Sequence, residues 1–233
     1  MPNHDPTAFE VTDCAASSHR RSPIIDVRAA LFTIAGGDLF VACIGRGSAR
    51  FLPHGNPNAG ENLDAAARRL IHEACGLDGH YQEQLYTLSV TDGDGGWRVI
   101  VSYLALVCSG NTPAETGGVL WTALPSAEIA ADADRMVLDY AMLRLQAKLG
   151  YTNIAFSLLP SQFTLTELQS AYETILGHPL DKRNFRRRMI ASGIVVETSE
   201  KRRDGSHRPA VLYTFTAEHD PTTYLTPPWA KGI

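Results

Sequence analysis

Ten consecutive residues, 182–191, carry five cationic side chains: Lys182, Arg183, Arg186, Arg187 and Arg188, with Asn184 among them. Arginine can grip guanine N7 and O6 through two parallel hydrogen bonds, and asparagine can do the same for adenine. On a helix advancing about 100° per residue, Phe185, Met189 and Ser192 share one side, and Arg183 and Arg187 lie nearly opposite. Arg186 and Asn184 take the flanks, and Arg188 leans toward the packed side. The pattern predicts base contacts from Arg183, Asn184 and Arg187, and phosphate contacts from Lys182, Arg186 and Arg188. A second basic group, Lys201, Arg202, Arg203 and Arg208, falls in a turn-rich stretch between two strand-like runs. It is placed to add backbone or minor-groove contacts. Residues 182–208 hold nine of the 21 Lys/Arg and only three of the 25 Asp/Glu, in a chain of net charge −4. A basic block in an otherwise acidic chain points to a polyanion rather than to a merely solvated helix face.

The elements that must hold these residues are legible around them. Thr164-Leu-Thr-Glu167 is a capping box, which starts a helix at Leu165 and lets Gly177 and Pro179 end it near Leu176. Asp181 is a cap for a second helix over 182–192, closed by Gly193. Two helices across so short a turn form a helix-turn-helix, and Thr164 or Thr166 at the first helix's start could bond a phosphate. Residues 194–199 and 210–215 read as strands of a hairpin whose basic loop is a wing. A winged helix-turn-helix over 151–233 favours double-stranded DNA as partner over RNA. The tail from residue 217 reads as extended.

A second constellation lies upstream. Gly55, Glu61, Arg69, Ile71, Glu73, Gly76 and Leu77, preceded by Leu52-Pro53, resemble a Nudix box, G-x5-E-x7-R-E-U-x-E-E-x-G-U with U aliphatic. Two carboxylates of that motif are absent: Leu70 and Ala74 stand in their places. Carboxylate oxygens offset the dehydration of Mg²⁺ and clamp it on phosphates, so Glu73 alone is a poor cage. Neither a catalytic group, a metal site nor a cofactor is expected. The enzymatic alternative, an ADP-ribose or nucleotide-sugar pyrophosphatase with an accessory DNA-binding domain, rests on Glu61 and Glu73 only.

The box sits in an α+β pattern over residues 23–150. Strands are expected at 26–34 and 38–44 around Gly36-Gly37, and at 84–91 and 97–108 around the hairpin signal Asp-Gly-Asp-Gly-Gly. A helix carries Leu63, Ala67, Leu70, Ile71 and Ala74 and stops at Gly76, and Asp134 is expected to cap another over 135–149. Residues 1–22 read as a flexible, polar arm without the apolar core of a signal peptide, so a cytoplasmic location is expected. No run reaches the roughly 18–20 apolar residues that span a bilayer, so no membrane partner is expected. Cys14, Cys43, Cys75 and Cys108 lie far apart and read as buried free thiols.

An N-terminal Nudix-like domain followed by a winged helix resembles the Nudix-related transcriptional regulators, the NrtR family. The resemblance covers nearly everything after residue 23. It is strongest over residues 148–160, 163–169 and 180–189, with further likeness at 84–87 and 102–107. It implies a bacterial, nucleoid-associated homodimeric repressor of NAD metabolism or related genes. Such repressors bind palindromic operators and are released by an ADP-ribose-like nucleotide effector. It further implies effector contacts from Arg46, which stands where the group often has arginine, and from Arg69 and Glu73 at their box positions. Residues 129–134 depart from the more aromatic, His-containing segment of the group.

Overall fold

The computed structural model describes residues 22–45, 49–78, 80–91, 96–108, 118–124, 126–203 and 209–216. Arg46, Arg208, Cys14, almost all of the arm, most of the 92–96 turn and the tail from 217 fall outside the described residues.

One long strand organises the N-terminal part. β1 (Ile24–Ala35) pairs antiparallel with β2 (Asp38–Ile44) across the Gly36-Gly37 turn, and lower down with the two-residue β3 (His54–Gly55). Its other edge runs parallel to β5 (Trp97–Leu106), which pairs antiparallel with β4 (Tyr81–Thr91). β6 (Val119–Ala123), which periodicity did not announce, adds antiparallel to β2 and completes the order β4-β5-β1-β2-β6. Strand side chains alternate between faces. Ala30 and Phe32 therefore face α2 (Asp132–Leu149), while Ala29 and Leu31 face the side of α1 (Leu63–Cys75). All four are fully buried, as the central strand of a sheet covered on both faces must be.

α1 begins where the Asn62 side chain accepts the Ala65 N–H at 2.8 Å and ends at Gly76, whose φ of 65° suits glycine. Its buried face is Ala66, Ala67, Leu70, Ile71 and Ala74.

α2 departs from the expected 135–149. It starts one turn earlier, at Asp132, with Ala131 as an N-cap that makes no side-chain bond. Asp134 is not the cap but a fully buried residue of the first turn. It pairs with Arg28 and accepts the Leu52 N–H at 3.0 Å. A buried guanidinium and an orphan backbone donor need that carboxylate more than a solvent-facing helix end does. Arg28 also bonds Asp26 at 3.1 Å, and Arg98 meets the same oxygen at 3.1 Å.

After a 3₁₀ segment (Ile154–Leu158) come α3 (Leu165–Leu176), α4 (Lys182–Ala191), β7 (Val195–Arg202) and β8 (Ala210–Phe215). The wing strand is longer than expected: Lys201 and Arg202 enter the ladder opposite Val211 and Ala210, past an irregularity after Glu197. Cross-strand pairing outweighs the weak strand preference of these basic residues.

One buried cluster runs through both parts, from Phe32 and Leu104 through Leu145 and Leu149 to Ile154, Leu168 and Met189. Gln146 donates to the Ile175 carbonyl at 3.0 Å, and Thr174 donates to the Gly37 carbonyl at 2.8 Å. Cys43 and Cys75 are buried, and burial pushes the Cys75 thiol up to about 12. Cys108 is exposed, against expectation, because it lies just beyond the end of β5. Among the described residues no helix is long and apolar enough to cross a membrane.

Candidate nucleic-acid interface and ligand-sensing face

The helix pair is assembled by its caps. Thr164 Oγ1 accepts the Glu167 N–H at 3.1 Å while Glu167 accepts the Thr164 N–H at 2.7 Å, closing the capping box. Asp181 Oδ1 accepts the Asn184 N–H at 2.7 Å and starts α4. The intervening turn is locked by two residues the sequence reading passed over. Glu173 Oε1 accepts the Leu180 N–H at 2.8 Å and the Gln169 side chain at 2.9 Å, and Gln169 also donates to the Leu180 carbonyl at 3.1 Å. Those two bonds, the Leu180 N–H first, lower the Glu173 carboxyl below its ordinary range. A pair four residues apart on α3 was the only visible signal for them.

α4 is anchored on one side and free on the other. Phe185 and Met189 are buried, with Phe185 edge-on to Tyr172 at 5.3 Å between centroids. Lys182, Arg183 and Arg187 are exposed on the outer side, as the helical wheel predicts. Arg187 donates to the Asn184 Oδ1 at 2.9 Å, so these two candidate base readers are already aligned with each other. Arg186 donates to the Thr166 Oγ1 at 2.8 Å, bringing the start of α3 against the basic helix. Ile190, which charge counting overlooked, lies seven residues after Arg183 and three after Arg187, on their face, and is 54% exposed. An apolar side chain there can meet a thymine methyl.

Arg188 is set apart. It lines a cavity of about 410 Å³ between α2, α3 and α4, together with Leu149, Tyr172, Leu176 and Phe185. On the wing, Lys201 and Arg203 are exposed, whereas Arg202 pairs with Glu167 of the α3 cap. Arg208 lies outside the described residues.

The Nudix-like motif is built on the opposite part of the molecule. Its loop is stitched to β1 by the Ala29 N–H to the Pro53 carbonyl at 2.9 Å and by β3. Arg69 donates to both oxygens of Glu61, at 2.9 and 2.8 Å, to Glu73 at 3.2 Å and to the Asn56 carbonyl at 3.0 Å. Arg69, helped by the Asn58 N–H, holds the Glu61 carboxyl down at about 2. Those ionised partners raise the Arg69 guanidinium in turn.

Leu70 and Ala74 are buried against the sheet and loop, and a Cβ on Gly55 would come within 2.7 Å of the Leu70 Cδ2. The apolar replacement therefore fills the space beneath the loop. Glu73 projects to solvent beside Arg69 rather than sharing the buried side with positions 70 and 74. Arg46 lies outside the described residues, in the segment just after β2. A cleft of about 910 Å³ opens between Ala49 and α2, lined by Glu128, Arg135, Leu138 and Asp139 among others.

Residues 155–215 match the family model described as the NrtR DNA-binding winged helix domain. Over 214 residues the chain is 38% identical to the "ADPR responsive transcriptional repressor NtrR" of Acinetobacter baylyi, a match spanning 84% of each protein. Shewanella oneidensis NrtR, solved in complex with a 27mer DNA, superposes with a TM-score of 0.73 at 28% identity, over 86% of this chain and 99% of that one. A MutT/nudix family protein from Enterococcus faecalis shares the fold, with a TM-score of 0.66 at 21% identity over 87% of this chain and 90% of that one. With a Nudix-like sheet whose box has turned apolar, and a winged helix whose basic face is free, the chain belongs to the NrtR family of transcriptional regulators.

Proposed function

We propose that this protein is a transcriptional repressor that binds a palindromic DNA operator as a homodimer and leaves it when an ADP-ribose-like nucleotide occupies the Nudix-like part. The observation that carries the reading is the free face of α4. Lys182, Arg183 and Arg187 are exposed on a helix whose other side is pinned by Phe185 and Met189. In this reading Arg183, Asn184 and Arg187 read bases. Lys182, Arg186, Arg188, Thr164 and Thr166 hold phosphates, and Lys201, Arg202, Arg203 and Arg208 add wing contacts. Residues 23–150 sense and residues 151–233 read. The relatives' names supply the ligand and the regulatory sense, since one is an ADPR-responsive repressor.

The test is a gel-shift titration of the full chain on DNA selected from a random pool, repeated across salt. Each phosphate neutralised adds close to one unit to the negative slope of log affinity against log salt. A flat salt dependence, or failure to select any sequence, overturns the reading. Sensing has its own test. A ligand changes DNA affinity only if it binds one of the two states more tightly. ADP-ribose should therefore raise the melting temperature and weaken operator binding, and binding without the second effect removes the sensing claim.

The Nudix-like part serves as a receptor without diphosphate hydrolysis. A divalent cation does not fit the residues present. Both Glu61 oxygens are bonded to Arg69, Glu73 is paired with the same guanidinium, and the other two box positions are buried Leu70 and Ala74. Arg69 acts here chiefly to hold Glu61 and Asn56. Effector contact is assigned to Arg46, Arg69 and Glu73. Mg²⁺-dependent turnover of ADP-ribose at an ordinary enzymatic rate would overturn this part alone.

A further inference from the structure

The cavity of about 410 Å³ between α2, α3 and α4 belongs neither to the free face of α4 nor to the Nudix-like motif. Packed helices ordinarily close on one another to crystal-like density, with few voids wider than a water molecule. A space of this size at a three-helix junction is a feature of the fold, not a packing fault. Its interior is apolar. Leu149, Tyr172, Phe185 and Met189 are buried and line it, and the Tyr172 and Phe185 rings meet edge-on, 5.3 Å between centroids. Its mouth is polar and holds one unmatched cation. One Asp181 carboxylate oxygen accepts the Asn184 N–H at 2.7 Å, and the His178 Nδ1 lies 3.3 Å from the Pro179 carbonyl. Arg188, exposed at the same mouth, has no carboxylate within ion-pair reach among the described residues.

We infer that this cavity is a second ligand site, for a small aromatic carboxylate whose ring fills the space between the helices and whose anion meets the Arg188 guanidinium. Ligand sites run from about 300 to 1,000 Å³, have mostly apolar and aromatic walls with a few orienting polar groups, and often lie between packed helices. The cavity has each of those properties. Its modest size and apolar depth suit a small acid rather than a nucleotide diphosphate, and a planar carboxylate matches the guanidinium fork through two parallel bonds. The site is also placed to act on DNA binding. Asn184, Phe185, Arg188 and Met189 all belong to α4, so an occupant touches that helix from its packed side. It also takes the guanidinium that the repressor reading gives to a phosphate, and the two anions compete for one fork.

Ligand binding is independent of the repressor reading, and only its effect on DNA rests on that reading. The probe is cinnamate, with neutral cinnamamide as its control, added to the full chain isotope-labelled at its methionine methyls. Met189 lines this cavity, Met142 lines the cleft between Ala49 and α2, and Met136 is exposed elsewhere on α2. Cinnamate should shift the Met189 methyl resonance saturably and leave those of Met136 and Met142 in place. It should bind at least about tenfold more tightly than the amide, the lower bound for a hydrogen bond to a charged group. Arg188→Gln should erase that preference while the amide binds as before, and Ala147→Trp at the mouth should exclude both. Both positions are exposed, and matched melting temperatures show that the variants are folded. A Met189 resonance that ignores cinnamate, equal binding of acid and amide, or full binding to Ala147→Trp overturns the site. A Met189 shift on dilution, without response to either probe, gives the cavity to a second copy and overturns it too. On operator DNA, saturating cinnamate should reduce the salt slope by about one, the loss of one phosphate contact, and change nothing further in Arg188→Gln. Binding at Met189 with the slope unaltered overturns the competition. If cinnamate binds while no DNA is bound, the site stands and the repressor reading falls. If DNA is bound and cinnamate is not, the site falls and the repressor reading stands.

Discussion

Arg183 and Arg187 stand one turn apart on the free face of α4, and Arg187 is already oriented by Asn184. A guanidinium gripping one base contributes about 1–3 kcal/mol of discrimination. Arg183→Ala or Arg187→Ala should thus lower operator affinity by about 10- to 100-fold and relax the preference at one base pair. Lys182→Ala should weaken all sequences alike and reduce the salt slope by about one. Gel shifts on operator and scrambled DNA tell these apart, and equal losses on both for Arg183→Ala would remove it from the base-reading set. The Nudix-like motif yields a pH prediction. Glu61 titrates near 2 instead of its ordinary 4.5, so its stabilising effect is complete above 4.5 and is lost as pH falls toward 2. Melting temperatures of the wild type and of Arg69→Met should differ most above pH 4.5 and converge below it. Parallel curves throughout would mean that the pair adds nothing. The arginine face was readable because charge and a 3.6-residue period are local properties. Ile190 was not, since an isoleucine at helical spacing looks like core until the neighbouring elements leave it uncovered.

Among the elements, α3 and α4 were the most legible, because their starts and stops are written in caps: Thr164 with Glu167, Asp181, and Gly177 at a φ of 74°. Thr164 also separates cap from contact. Its Oγ1 accepts the Glu167 N–H, which leaves its own hydrogen for a phosphate. Thr164→Ala should cost about 1 kcal/mol of stability and weaken DNA binding as well. Thr164→Asp keeps a capping oxygen but turns a negative charge toward the backbone, so it should preserve the melting temperature while reducing affinity. If both variants bind like the wild type, Thr164 is a cap and nothing more. The start of α2 was misread for a reason that local patterns cannot supply. Asp134 looks like a cap, but Arg28 and the Leu52 N–H, 106 and 82 residues distant, claim it. β6 was missed likewise, since Val119–Ala123 is short and owes its place to pairing with β2.

At the scale of the whole molecule, the sensing and reading parts are two patterns in sequence and one body in structure. Hydrophobic side chains of α2, the 3₁₀ segment, α3 and α4 join the sheet's α2-facing core in one buried cluster. The Thr174 bond to the β1–β2 turn and the Gln146 bond to the end of α3 stitch its edge. No sequence feature foretells this, because two domains with separate cores and two with a shared one have the same periodicities. A shared core has a thermodynamic consequence. Neither part can unfold without exposing apolar surface of the other, so calorimetry should show a single cooperative transition with equal calorimetric and van 't Hoff enthalpies. Asp134→Asn bears on the same continuity from the far end of α2. It leaves Arg28 against one less carboxylate in a buried setting, a loss of about 3–5 kcal/mol. It should therefore lower the whole transition and loosen DNA binding, although residue 134 is remote in sequence from α4. Two resolved transitions, with only the first shifted by Asp134→Asn, would show that the parts melt independently. α2 would then be a tether between them.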